Sequence, residues 1–284
     1  MLLSIAFLIG GLFLLVKGGD WLVTGSSTIA RKYGISELVI GLTIVAFGTS
    51  APELVVSVLA AVDKHPEIAL GNVIGSNNFN LFVILGLSGV LAPLTVQKVT
   101  IRKEIPLSLL AALALILLAN DSVFGRDNMV SRLDGLLLLA FFAGFLYYIW
   151  RSMKKNEVAG QPDEVTLKPW KSLLFIAGGL AGLIIGGKLV VTAAVDLARM
   201  FQVSEKVIGL TIVAAGTSLP ELVTSLVAMR KKSSDIAIGN VIGSNIFNIF
   251  LILGTGALIR PMHYSPEFNQ DMILLIFGTL LLLL

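Results

Sequence analysis

The sequence predicts an all-α polytopic membrane protein made of two inverted five-helix repeats, and three observations carry this prediction. Hydrophobic residues make up 56% of the 284 residues and charged residues only 14%, against about 25% charged residues in a typical soluble domain. Apolar runs that approach the roughly 20 residues needed to cross a bilayer recur along the whole chain. A stretch of 52 residues occurs twice, at 35–86 and at 203–254.

Nine apolar segments are candidate membrane spans, and we number them 1 to 9 in chain order. The first half holds Leu2 to about Ile29, Leu38–Val62, Ile68–Leu94, Ile105–Ala119 and Leu133–Trp150. The second half holds Leu173–Leu197, Val207–Met229, Ile236–Ile259 and Met272–Leu284. Because each repeat should contain five spans, we expect ten helices in the complete protein. About nine are expected in this chain, with the last one truncated.

The two copies of the repeat align without a gap at an offset of 168, and 35 of 52 positions are identical. An odd number of spans per repeat inverts the second copy relative to the first. Inverted repeats are typical of transporters that alternate access around a site at the membrane midplane. We therefore predict a first half at 1–152, a linker at 153–171 and a second half at 172–284 that is incomplete at its C-terminus.

Basic residues predict the orientation of the chain, because Lys and Arg are enriched in short cytoplasmic loops. The connections after spans 1, 3, 5 and 7 hold 13 basic residues, and the opposite connections hold 6. The linker is therefore predicted to be cytoplasmic and the N-terminus to lie outside.

Composition also excludes several kinds of function. The chain has no cysteine, which removes thiolate metal sites and thiol nucleophiles. Its two histidines, His65 and His263, lie in polar connections rather than inside spans. The net charge is only +3, which argues against a nucleic-acid partner. We expect no cofactor, and the lipid bilayer is the expected surrounding.

Two carboxylates interrupt the apolar spans of the repeated core. Glu53 is the only charged residue between Leu38 and Val62, and Glu221 is the only one between Val207 and Met229. A carboxylate at the centre of a span costs roughly 2.5–3.5 kcal/mol on insertion scales, so ionisable residues there are functional by default. A protonated glutamate that only bonds a neighbouring helix is the weaker interpretation.

The residues beside each glutamate favour cation coordination. Both copies read Gly-Thr-Ser-x-Pro-Glu, with Pro52 in the first repeat and Pro220 in the second. Proline has no amide hydrogen, so it should free the carbonyl of Gly48 or Gly216 and kink the helix. Broken helices at membrane depth expose carbonyls that can coordinate Na+. Carboxylate, carbonyl and hydroxyl oxygens together suit hard cations such as Ca2+.

A second repeated motif, Gly-Asn-Val-Ile-Gly-Ser-Asn, opens spans 3 and 8. Ser76 and Asn80 are four residues apart, as are Ser244 and Asn248, so each pair shares one helix face. We expect these four residues to face the glutamates. The glycines and the first asparagine of each motif, Asn72 or Asn240, can equally be explained as close helix packing.

These paired motifs resemble the α-repeats of the cation/Ca2+ antiporter superfamily, and the resemblance is strongest to its prokaryotic Na+/Ca2+ exchanger branch. It covers nearly the whole chain. The resemblance implies a central ligand set and movement of spans 1 and 6 over the ligand core. Asn248 stands where many exchangers have Asp. The implied metal ligands are Glu53, Glu221, Thr49, Ser50, Thr217, Ser218, Ser76, Ser244, Asn80, Asn248 and the carbonyls of Ala46 and Ala214.

The expected function is secondary active antiport of Na+ against Ca2+ by alternating access. The expected location is a prokaryotic inner membrane, with the protein acting as a monomer. Proton-coupled antiport of Ca2+ or another divalent cation stays open as an alternative, in which the two glutamates titrate. An intramembrane enzyme is disfavoured, because the spans lack Cys, a central His and a mid-span Asp pair.

Overall fold

The computed structural model describes residues 2–121, 127–155, 168–203, 208, 211–212 and 214–283. Helices occupy the predicted spans. In the first half they are Leu2–Tyr33, Glu37–Ile40, Ala46–Thr49, Ala51–Val62, Pro66–Asn78, Leu85–Leu91, Lys98–Arg102, Glu104–Ala119 and Arg132–Lys155. In the second half they are Pro169–Met200, Ala214–Thr217, Leu219–Arg230, Ser234–Ile246, Gly254–Ile259 and Phe268–Leu281. π-Helical turns join the pieces of spans 2, 3 and 8 at Gly41–Val45, Phe79–Ile84 and Phe247–Leu253.

Within the described residues, five helices are long and apolar enough to cross a bilayer, and a sixth span is bent. The five are spans 1, 3, 5, 6 and 8. Span 2 is the bent one, with 47° between Glu37–Thr49 and Ala51–Val62. Spans 4 and 9 are shorter helices of 16 and 14 residues. Several residues at the start of predicted span 7 and residues 156–167 of the predicted linker lie outside the described residues.

The two repeats fold alike down to their turns. Gly34 and Gln202, which are equivalent positions, both have positive φ, at 63° and 58°. Lys64 and Lys232 are also equivalent and have φ of 71° and 61°. Left-handed backbone is uncommon for residues other than glycine. Its recurrence at matched positions indicates that each repeat makes the same connections.

Spans 1 and 6 form one antiparallel helix pair through glycines that allow their backbones to touch. A Cβ on Gly11 would lie 2.8 Å from the carbonyl oxygen of Gly186, and a Cβ on Gly18 would lie 2.8 Å from that of Gly179. Small residues at a seven-residue interval let membrane helices approach closely, because lipid supplies no hydrophobic drive for association. The pair is therefore held by backbone contact along several turns.

Span 8 forms the centre of the molecule. In its most apolar 18-residue window 94% of the residues are buried, against 28% in spans 1 and 6. Two short strands, Met129–Val130 (β1) and Met262–His263 (β2), pair antiparallel and join the connections that precede spans 5 and 9. The buried core thus surrounds the two repeated motifs, while spans 1 and 6 form an outer pair.

Candidate cation site

The glutamates lie at helix breaks, as the prolines predict. Ser50 interrupts span 2 between Ala46–Thr49 and Ala51–Val62, and Ser218 interrupts span 7 at the equivalent position. In span 2 the break produces the 47° bend. Glu53 and Glu221 each lie in the first turn after the break and are 1% exposed. The break and the carboxylate therefore come together in both repeats.

Each carboxylate is held by the serine of the opposite repeat. The Ser50 hydroxyl lies 2.9 Å from Glu221 Oε1 and 3.0 Å from Ser244 Oγ. In the mirrored arrangement, the Ser218 hydroxyl lies 3.1 Å from Glu53 Oε1 and 3.2 Å from Ser76 Oγ. Hydrogen bonds to a carboxylate are stronger than bonds between neutral groups. Two crossed chains of hydroxyls and carboxylates thus join the repeats at the centre.

Asn72 and Asn240 brace the broken helices. Asn240 Nδ2 donates to the Glu221 carbonyl at 3.3 Å and to Ser225 Oγ at 3.0 Å. Its Oδ1 accepts from the Thr49 hydroxyl at 3.0 Å. Asn72 makes the equivalent bonds to the Glu53 carbonyl, to Ser57 and to Thr217. The packing interpretation of these two asparagines is thereby supported, because they link helices rather than present an open oxygen.

Four buried acceptor oxygens at the centre have no hydrogen-bond partner. They are the Oε2 atoms of Glu53 and Glu221 and the Oδ1 atoms of Asn80 and Asn248. All four side chains are 1% exposed. A buried polar oxygen without a partner costs free energy and calls for an explanation. The four form two equivalent pairs across the repeats and are acceptor oxygens that could bind a cation.

The described structure brings most of the predicted ligands together through these contacts. Three predicted ligands, Thr49, Ala46 and Thr217, differ from the others in bonding or burial. The Thr49 hydroxyl already donates to backbone and Asn240 oxygens, and the Ala46 carbonyl already accepts from the Ser50 amide at 3.0 Å. The Ala214 side chain is outside the described atoms. Thr217 is half-buried, unlike the buried Thr49.

Sequence reasoning assigned no role to Asn77 and Asn245, which link the repeats. Asn77 Nδ2 donates to the Asn245 carbonyl at 3.2 Å, and Asn245 Nδ2 donates to the Asn77 carbonyl at 3.4 Å. Both lie inside the repeated motif, so their identity at an offset of 168 was the available signal. Asp20 and Lys231 also form a pair, with Lys231 Nζ 2.6 Å from Asp20 Oδ1. The sequence did not predict this pair, because the two residues are 211 positions apart.

The space beside the site differs between the two repeats. A cavity of about 420 Å³ lies between spans 3 and 7 and is lined by Ser76, Phe79 and Ala215, among others. A much smaller cavity of about 10 Å³ lies between spans 2 and 8, lined by Ser50, Phe47 and Phe247, among others, and it shares only the positions of Phe47 and Phe247 with the first. Phe47 stands where the second repeat has Ala215, and its ring lies 5.7 Å from that of Phe247. A Cβ on Gly75, beside the larger cavity, would meet no atom within 4 Å, whereas one on its equivalent Gly243 would lie 2.7 Å from Ala46 Cβ. The space beside span 3 is therefore open, and the equivalent space beside span 8 is filled by span 2.

An inverted helical repeat around buried carboxylates defines a membrane transporter for cations. Among the described residues no three His, Asp or Glu side chains cluster in a way that could hold a resident metal. The central oxygens instead come from two carboxylates, hydroxyls and amides. The arrangement thus gathers buried oxygens of both repeats beside an open cavity on the span 3 side.

The chain belongs to the sodium/calcium exchanger protein family, whose model matches residues 3–151 and 171–284. It is therefore an integral membrane protein and a Ca2+ antiporter, not an enzyme. Over 282 residues it is 39% identical to the inner membrane protein YrbG of Escherichia coli, covering 95% of this chain and 85% of YrbG. It is 36% identical over 286 residues to the sodium/calcium exchanger MaX1 of Methanosarcina acetivorans, covering 89% and 82% of the two chains.

A solved structure shares the fold over the whole chain. The sodium-calcium exchanger NCX_Mj, soaked with 10 mM Na+ and zero Ca2+, superposes with a TM-score of 0.85 at 36% identity. The match covers 99% of this chain and 90% of that one. The predicted fold class, with its inverted repeats, is confirmed by this likeness.

Proposed function

We propose that the chain exchanges Na+ for Ca2+ across the membrane by alternating access. The observation that carries the proposal is the pair of buried carboxylates, each bound by a serine of the other repeat and each with one unpartnered oxygen. The names of the relatives MaX1 and NCX_Mj, a sodium/calcium and a sodium-calcium exchanger, support Na+ as the coupling ion.

Charge balance supplies the physical basis of exchange. Glu53 and Glu221 together can neutralise either one Ca2+ or two Na+, so the two ions compete for the same charge. A bare dianion is far costlier inside the protein than a neutralised site, because buried unpaired charge is heavily penalised. The filled site should therefore change sides more readily than the empty one, and this difference couples the two ions.

The proposed ligand set keeps the residues of the sequence prediction. Glu53 and Glu221 supply the charge, and the hydroxyls and amides complete an oxygen shell of the type that Ca2+ and Na+ prefer. The unpartnered Oδ1 atoms of Asn80 and Asn248 support their place in this set. The other proposed ligands are Thr49, Ser50, Thr217, Ser218, Ser76, Ser244 and the carbonyls of Ala46 and Ala214.

We also propose how the chain lies in the membrane. The basic residues favour a cytoplasmic linker, an N-terminus outside and a prokaryotic inner membrane. In this orientation the cavity of about 420 Å³ opens to the outside. The halves at 1–152 and 172–284, joined by the linker at 153–171, act as the two inverted units of one monomer.

The test is Ca2+ flux in vesicles that contain the purified chain. Vesicles loaded with Ca2+ are given a Na+ gradient or a pH gradient separately. We expect Ca2+ to move against Na+, and we expect Glu53→Gln or Glu221→Gln to abolish that movement while the protein stays folded. Glu267→Gln, at an exposed glutamate, is the matched control and should transport normally.

Two results would contradict the proposal. Ca2+ flux driven by the pH gradient and indifferent to Na+ would replace Na+ coupling with proton coupling. Normal flux in both Gln variants would remove the two glutamates from the site.

A further inference from the structure

Asparagines 77 and 245 form, with Asn80 and Asn248, a closed set of amides between spans 3 and 8, which we call the amide belt. Asn80 Nδ2 donates to Asn245 Oδ1 at 3.0 Å, and Asn248 Nδ2 donates to Asn77 Oδ1 at 2.9 Å. All four side chains are at most 3% exposed. Each bond crosses from one repeat to the other.

The belt leaves no freedom in how its amides are turned. An amide can place either its oxygen or its NH2 group toward a neighbour, but a backbone carbonyl can only accept. Asn77 and Asn245 each donate to the backbone carbonyl of the other. Their NH2 groups are thereby fixed, and their oxygens must face Asn248 and Asn80. Those two residues must then donate, which leaves their own oxygens as the free groups.

We propose that Asn77 and Asn245 are positioning residues that keep the Asn248 and Asn80 oxygens turned toward the transported cation. This inference rests on the proposed function. Without the belt, the Asn80 amide could rotate and present its NH2 group, which carries partial positive charge and repels a cation. The cation would then lose one oxygen ligand from each amide that turns.

The test compares Asn245→Ala in two backgrounds, wild type and Asn80→Asp. A carboxylate presents an oxygen whichever way it turns, so Asp at position 80 needs no positioning. We expect Asn245→Ala to raise the Ca2+ concentration for half-maximal binding about ten-fold in the wild type, the effect of one lost hydrogen bond of about 1.4 kcal/mol. In the Asn80→Asp background we expect no loss or a gain, because Asn245 Oδ1 then faces a carboxylate.

Asn78→Ile is the matched control. Asn78 lies beside the belt, but its NH2 group bonds the carbonyls of Ile74 and Asp271, and the second repeat has Ile246 at this position. Equal losses from Asn245→Ala in both backgrounds would indicate a packing role and overturn the inference. Wild-type protein that binds no Ca2+ would instead overturn the proposed function.

A second inference, which also rests on the proposed function, comes from the ion pair between Asp20 of span 1 and Lys231 after span 7. Lys231, after span 7, lies 2.6 Å from Asp20 of span 1 and also bonds the Asp20 carbonyl and Thr24 Oγ1. At an offset of 168 these three positions become Asp63, Lys188 and Thr192. The second triad has the same residue types with the two charges exchanged.

Only one of the two triads is assembled. Asp63 and Lys188, both in the described part of the chain, are exposed and are not ion-paired with each other. The packing around them differs in the same sense. Val227, which faces Gly19 of span 1, is 8% exposed. Leu59, the equivalent of Val227 in the first repeat, is 54% exposed.

A cleft lies beside Lys188 and Thr192 of the second triad, and Asp63 is not in its lining. It has a volume of about 440 Å³ and lies between span 6, at Lys188 and Thr192, and span 2, at Pro52 and Val55. Span 1 packs directly against span 7 on the equivalent side. The same sequence pattern is thus closed in one repeat and open in the other.

We infer that Asp20–Lys231 and Lys188–Asp63 are two alternating latches, one closed in each state of the transporter. Spans 1 and 6 are joined by backbone contact, so they move as one body. Because Gly11 lies opposite Gly186 in that pair, Asp20 and Lys188 are separated by about 16 Å along its axis, from a rise of about 1.5 Å per residue. A tilt that opens one end of the pair therefore closes the other.

The test measures which side of the site is accessible, so its outcome is separate from Ca2+ transport. The chain has no native cysteine, so Ala215→Cys reports the cavity of about 420 Å³ and Phe47→Cys reports the equivalent position of the other repeat. Lys231→Gln should lower the rate of maleimide labelling at position 215 and raise it at position 47, each three- to five-fold. Asp63→Asn should shift both rates the opposite way.

Restoration and a neighbouring control complete the test. The exchange of Asp20→Lys with Lys231→Asp should return labelling to the wild-type rates, and Lys232→Gln, at the adjacent lysine, should leave them unchanged. Shifts in the same direction for Lys231→Gln and Asp63→Asn would overturn the inference. So would a charge exchange that behaves like the single variant.

Discussion

Two neighbouring glycines of span 1 allow the helix pair to be tested by one methyl group. A Cβ on Gly11 would lie 2.8 Å from both the Gly186 carbonyl oxygen and Val190 Cγ2, whereas a Cβ on Gly10 meets no atom within 4 Å. Gly→Ala raises helix propensity by about 1 kcal/mol at either site. The difference between Gly11→Ala and Gly10→Ala therefore isolates the contact with span 6.

The magnitude follows from the size of the clash. An ordinary Cβ contact is about 3.4 Å or longer, so the backbones must separate by about 0.6 Å, and a gap of 0.5–1 Å forfeits a quarter to a half of the dispersion energy of each contact. Inserted methyl groups in tight packing cost typically 1–3 kcal/mol. We expect Gly11→Ala to unfold about 2–12 °C below Gly10→Ala, at roughly 2–4 °C per kcal/mol.

The assay is thermal unfolding in detergent, followed by Ca2+ flux in vesicles. Gly10→Ala should equal or exceed the wild type in stability and should transport normally. Gly11→Ala should lose stability and transport more slowly, because the helix pair no longer moves as one body. Equal melting temperatures and equal fluxes for the two variants would refute the close backbone contact of spans 1 and 6.

Three further predictions concern the site. Ser50→Ala and Ser218→Ala should each weaken Ca2+ binding at least ten-fold, because each removes a hydroxyl bonded to a buried carboxylate. Calorimetry measures the Ca2+ affinity, and unequal losses in the two variants would contradict the crossed arrangement. Asn248→Asp adds a third carboxylate, so the Hill coefficient for Na+ in flux assays should rise, and an unchanged coefficient would contradict the charge-balance argument. Ala215→Phe should fill part of the cavity of about 420 Å³, which slower maleimide labelling of a nearby single cysteine would detect, whereas Phe47→Ala, at an exposed ring, should leave that labelling unchanged.

The spans and the repeat were readable from the sequence because both depend on local residue pattern. Long apolar runs can only be buried in lipid or in the core, and the predicted bounds agree with the helices to within a few residues wherever the chain is described. The bend in span 2 was predicted from Pro52, since proline cannot donate to a carbonyl four residues earlier. Glu53 and Glu221 were identified because a charge inside a span is costly.

The partners of those residues could not be read in the same way. Ser50 binds Glu221 and not Glu53, although Glu53 is only three residues away. The choice depends on how spans 2 and 7 cross, which no local pattern encodes. Asn77 and Asn245 were passed over for the same reason, since the orientation of one amide is set by a backbone carbonyl 168 residues away.

The sequence by itself determined that this protein is a membrane-spanning repeat with two central carboxylates, because apolar length and buried charge are properties of the chain. Only the tertiary structure decided that the two copies of the repeat, which are identical at 35 of 52 positions, pack differently against their neighbouring spans. The Asp20–Lys231 pair is formed and a cavity opens beside Ala215, while Lys188 and Asp63 are not ion-paired and span 2 packs against Gly243 at the equivalent place. The physical reason is that spans 1 and 6 are held together by backbone contact, and Gly19 of this pair packs against Val223 and Val227 of span 7, whereas a cleft separates the pair from span 2.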